Sequence, residues 1–119
     1  YVAAPVSPTL ATSGHADTKL FELCAEFERL DAGEHAIFEL YCSLPEKSEE
    51  ANAISASFDR RYAVWAAASD ACYATTPQTP AGAAVLLDLI LTRDSEHIDE
   101  AIQKPLRLIR DGLKAMVLA

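Results

Sequence analysis

"SLPEKSEE", residues 43–50, is the point at which the chain folds back on itself. Pro45 pushes Leu44 out of the α region, so a helix entering this stretch has to stop. Ser43 and Glu46 have the spacing of a capping box, which predicts that a second helix begins at about residue 46. Both flanks carry helical periodicity. Upstream, apolar residues fall at Leu20, Leu23, Phe27, Leu30, Ile37, Tyr41 and Leu44, a heptad register with one polar break at Glu34. Downstream, Ala51, Ile54, Phe58, Tyr62, Trp65, Ala68 and Cys72 form the matching stripe. Asp17 is the expected N-cap of the first helix. Gly33 costs about 1 kcal/mol inside a helix, so a break there is the alternative to one continuous rod.

Two long helices joined by a short proline turn lie antiparallel, and residues facing each other should have numbers adding to about 91. That register sets Phe27 near Trp65, Ile37 near Ile54 and Gly33 opposite Phe58, where a missing side chain would make room for the ring. It also brings Arg61 within a turn of Asp31 and Glu34. Glu34 and Arg61 are therefore the candidate pair that sets the register.

"TTPQTPAGAAVLLDLIL", residues 75–91, closes the hairpin and opens a third helix. Thr76-Pro77 ends helix two, and Thr79-Pro80 supplies an N-cap followed by proline at the first helical position. Residues 80–92 are apolar on nearly every side except at Asp88, so this helix should be covered all round. A fourth helix is expected over residues 95–117, capped by Asp94 or Ser95, with a kink or short break near Gln103–Lys104 ahead of Pro105. The fold class that follows is all-α, a four-helix up-down arrangement dominated by a long antiparallel hairpin. The helices span about 17–43, 46–75, 80–92 and 95–117 of a single domain over 16–119. Residues 1–15, rich in Pro, Ala, Ser and Thr, read as a weakly ordered tail without the basic start of a signal peptide.

Composition narrows the chemistry. The net charge is −8, and residues 17–50 hold ten acids against three bases. Such a surface disfavours nucleic acid, and the basic stripe Lys104, Arg107, Arg110 and Lys114 reads as a solvated face or a partner for the acidic first helix. The longest apolar run, residues 81–91, is too short to span a membrane and contains Asp88. Cys24, Cys42 and Cys72 are odd in number and lack a CxxC spacing, so they read as reduced thiols of a cytoplasmic protein. Neither a metal motif nor a nucleophile motif is present, and no cofactor is expected: His35 and Glu39 share a helix face, but HExxH and the Glu-x-x-His pair are both missing.

The segments "CAEFERLDAGE" (24–34) and "TTPQTPAGAAVLLDLIL" (75–91), on either side of a Trp-containing helix, resemble a pattern in short uncharacterised all-helical proteins of alphaproteobacteria. The match covers about residues 17–92. It departs from the pattern after Gly82, where Ala83, Ala84 and Val85 replace a Leu followed by Ala-Lys-Ala. The resemblance implies the fold class and no activity.

Two functions remain open. Helices three and four are shorter than the hairpin and leave part of its stripe uncovered, which points to a non-enzymatic interaction module that pairs as a homodimer. The alternative is a small-molecule binder whose pocket lies between helices one and two, lined by Phe27, Phe38, Phe58, Tyr62 and Trp65.

Overall fold

The computed structural model describes residues 16–118, all in helices, turns and short connections, with no strand among them. The expected tail at 1–15 lies outside the described residues. Helix α1 spans Thr18–Ser43, α2 Glu49–Tyr73, α3 Pro80–Arg93 and α4 Glu100–Leu118, with a 3-10 turn at Ser95–His97. Helix α1 packs on α2, α3 packs on α4, and α3 joins the two hairpins by resting against α1.

Helix α1 runs unbroken through Gly33. The expected packing reason for that glycine is overturned, because a Cβ there would meet nothing within 4 Å. Phe58 instead packs edge-on against Tyr41, at 5.1 Å between ring centroids. Phe27 does meet Trp65 as the simple antiparallel count expects, at 5.5 Å, and Arg61 meets Glu34, but nearer the corner the partners are displaced, and the corner shows why. Leu44 is extended (φ −81°, ψ 152°) ahead of Pro45, but the anticipated capping box is absent. Ser43 is the last residue of α1, and its hydroxyl donates to the Leu40 carbonyl at 2.7 Å. Ser48 caps α2 in its place, accepting from the Ala51 N–H at 3.2 Å. The chain reaches Ser48 through Lys47 in the left-handed region, at φ 63°.

Asp17 is a second departure. Its carbonyl accepts from the Phe21 N–H and so starts α1, but its side chain does not cap that helix. The carboxylate is buried and reaches across to the segment before α3. It accepts from the Gln78 N–H at 2.8 Å, the Thr79 N–H at 3.0 Å and the Thr79 hydroxyl. Thr79 in turn accepts from the Gly82 N–H at 3.1 Å, and Pro80 occupies the first turn of α3. A carboxylate at this end of α3 also faces the positive pole of the helix.

Helix α3 is the most enclosed element: only its first residue and Thr92 are exposed, and Gly82, Ala84, Leu89 and Leu91 are buried. The core gathers where it meets the hairpin, from Leu20, Cys24, Phe27, Cys72 and Leu89. Helix α4 starts later than the expected residue 95, because Asp99 rather than Asp94 or Ser95 bonds its first turn, accepting from the Ala101 N–H at 2.9 Å. No break follows at Gln103–Lys104, and Pro105 sits within the continuous helix. The interruption falls instead between the 3-10 turn and residue 100. No described helix is long and apolar enough to cross a membrane.

Candidate functional site

Trp65 is the hub of the first hairpin. Its helix position turns the indole toward α1, where the ring N–H donates to Asp31 at 3.0 Å and the ring lies 5.5 Å from Phe27. Tyr62, one turn earlier on α2, stacks on it at 5.7 Å. From α3, the Arg93 guanidinium sits 4.5 Å over the indole and 5.4 Å from the Tyr73 ring, a cation held between two π faces. Tyr73 donates its hydroxyl to Asp94 at 2.7 Å. Burial, and then that bond to a carboxylate, push the phenol above its ordinary pKa.

Two concavities flank this hub. One is an open trough of about 410 Å³ along the α1/α2 seam, walled by Phe38, Phe58, Tyr62 and Trp65 with Asp31 and Glu34 beneath them. The other, about 470 Å³, lies toward α3 between Phe27, Asp31, Trp65, Leu89 and Arg93. Four of the five sequence-derived aromatics therefore share one surface. Phe27 is separated from them, buried below Trp65 and facing the second cavity. The Glu34 carboxylate accepts from Arg61 at 2.9 Å, and Arg61 is also braced on the Ser57 hydroxyl at 3.0 Å. Because both partners keep about a third of their side-chain surface in water, a double-mutant cycle on Glu34→Gln and Arg61→Met is expected to return only about 0.5–1 kcal/mol of coupling in urea denaturation.

Arg93 and Asp94 were not legible as site residues, because their contacts with Trp65 and Tyr73 join positions twenty or more apart in sequence. Asp88 was visible only as the odd charge in an apolar helix. It accepts from Arg110 at 3.1 Å and Lys114 at 2.9 Å, so α3 neutralises half of the basic stripe on α4. Among the described residues, Lys104 and Arg107 have no acidic partner.

The thiols divide by environment. Cys24 and Cys72 meet inside the core; burial pushes the Cys24 thiol up to about 12, with Cys72 adding to the effect, and burial raises Cys72 as well. Cys42 is exposed near the corner. At neutral pH a thiol reagent is expected to modify Cys42 alone in the native protein, and all three cysteines in denaturant. A raised thiol pKa favours the folded state while the thiol stays protonated. Stability should therefore hold below about pH 9, the unfolded value, and decline as pH climbs toward 12, which thermal unfolding across that range would read out. Among the described residues no group of three or more His, Cys, Asp or Glu is placed to hold a metal ion. Comparison with known protein families, with curated proteins and with solved structures found no match.

Proposed function

We propose that this protein is a non-enzymatic interaction module of the cytosol that pairs with a second copy of itself. The observation that carries the reading is α4. It is strongly amphipathic, yet no residue on it is buried, and Ile102, Ile109 and Met116 stay more than half exposed along one line. The outer half of the first hairpin repeats the theme, with Phe38 56% and Tyr62 65% exposed. Exposed apolar surface of this extent is costly in a monomer and is the usual mark of an association face. The buried, high-pKa state of Cys24 and Cys72 supports inert thiols rather than nucleophiles. All three cysteines are unpaired, in keeping with a reducing compartment.

Light scattering across concentration tests the reading: the mass should approach twice 12.9 kDa as concentration rises. A mass that stays at one chain up to about 1 mM, a Kd beyond the reach of cytosolic concentrations, overturns it. The trough volume favours one competing reading, a small apolar ligand between α1 and α2, since 410 Å³ falls within the ordinary range for such sites. A thermal-shift screen of metabolites separates the two, because a ligand at 100 times its Kd adds about 2.7 kcal/mol to stability.

A further inference from the structure

We infer that each contact of the pair joins two different parts of the chain: α4 of one copy lies in the Phe38–Tyr62–Trp65 trough of the other, and the contact is repeated in reverse about a two-fold axis. This rests on the self-association reading and specifies its geometry.

The seam on α4 is set by the mismatch between its apolar arc and the arc that α3 covers. Gln103, Leu106, Arg110 and Leu113 are the half-buried positions, spaced three and four apart, and mark the side facing α3. Ile102, Ile109 and Met116, with Pro105 and Gly112 between them, run along the adjacent side and face water. Proline and glycine leave that line low, so a neighbouring helix can approach closely.

Length and area match the seam to the trough. From Ile102 to Met116 the seam is about 21 Å long at 1.5 Å per residue. The part of α1 beyond the core, from Asp31 to the corner at Leu44, is about 20 Å long by the same rise. Helix α1 holds six acids against two bases, whereas α4 holds four bases against two acids, so the two elements attract at long range; Lys104 and Arg107 themselves lie on the side of α4 away from the seam. Phe38 and Tyr62 are 56% and 65% exposed and Trp65 is already largely covered, so with aromatic side-chain areas of roughly 150–250 Å² docking removes at most roughly 330 Å² of ring surface from water, and the exposed parts of Ile102, Ile109 and Met116 add a similar area. Two such dockings bury up to roughly 1,300 Å², at the small end of stable protein–protein interfaces. The two-fold arrangement closes, so neither face is left to propagate a filament.

Sedimentation equilibrium on the full chain tests this with Ile109→Lys, which spoils the seam, and Tyr62→Lys, which spoils the trough. Each variant alone should dimerise at least 30-fold more weakly than the parent. Mixed in equal amounts they should associate more tightly than either alone, since the first keeps its trough, the second keeps its seam, and one docking survives. A dimer that persists in Tyr62→Lys, or in Ile109→Lys, or a mixture no tighter than its components, overturns the reciprocal docking while leaving self-association standing. A parent chain that never dimerises removes both. Far-UV circular dichroism checks that each variant keeps its helix; Ile109→Ala and Tyr62→Ala repeat the comparison where a lysine variant does not.

Discussion

Asp17→Ala is expected to destabilise the protein by about 2–4 kcal/mol in urea denaturation, far beyond the cost of losing an ordinary helix cap. The carboxylate is buried and accepts from the Gln78 N–H, the Thr79 N–H and the Thr79 hydroxyl. Removing it leaves two backbone donors without their acceptor, at about 1–3 kcal/mol for each that water cannot reach. The same carboxylate is why residue 82 is glycine. A Cβ there would fall inside contact distance of the Asp17 carboxyl group. That group is short and held by three bonds, so it cannot swing aside cheaply. Gly82→Ala should therefore cost about 3 kcal/mol, although alanine is the better helix former in isolation. The two substitutions compete for one space, so the double variant Asp17→Ala/Gly82→Ala should lose at least about 1 kcal/mol less than the separate costs predict. Strict additivity would show that the close approach does not govern residue 82.

Phe27→Ala is the second large effect, at about 3–5 kcal/mol, because the ring is 3% exposed, rests 5.5 Å from Trp65 and closes the core between α1 and α3. Phe38→Ala, on the same helix and of the same chemical type, should change monomer stability by less than about 0.5 kcal/mol, since its ring is more than half exposed. The contrast is read from denaturation midpoints at protein concentrations low enough to keep the chains apart. Equal losses at the two positions would mean that the outer hairpin is packed in the monomer after all, which would remove the basis for the trough.

Much of the architecture was legible in short stretches. Helical periodicity located the apolar stripes, Pro45 marked the end of α1, and Thr79-Pro80 marked the start of α3, because each of these signals acts within a turn or two of its own position. The neighbourhood of Glu34 and Arg61 could be reached from the same stretches, since two rods joined by a short corner must bring such positions within a turn of each other. The register within that turn could not. It depends on Ser48 rather than Ser43 providing the cap, and on Lys47 taking a left-handed backbone that lysine has no intrinsic reason to prefer.

What the amino-acid order determined by itself is therefore the class of fold, the number of helices and their approximate ends, all products of local backbone preference and of burial patterns repeating every three to four residues. Tertiary structure alone decided which aromatic became core and which became surface, gave Asp17 to a helix more than sixty residues away, set Arg93 over Trp65, and left the outer line of α4 bare. Those outcomes depend on how far rigid rods slide and rotate past one another, and a displacement of one turn, about 5.4 Å, is enough to exchange the partners of every side chain along a seam.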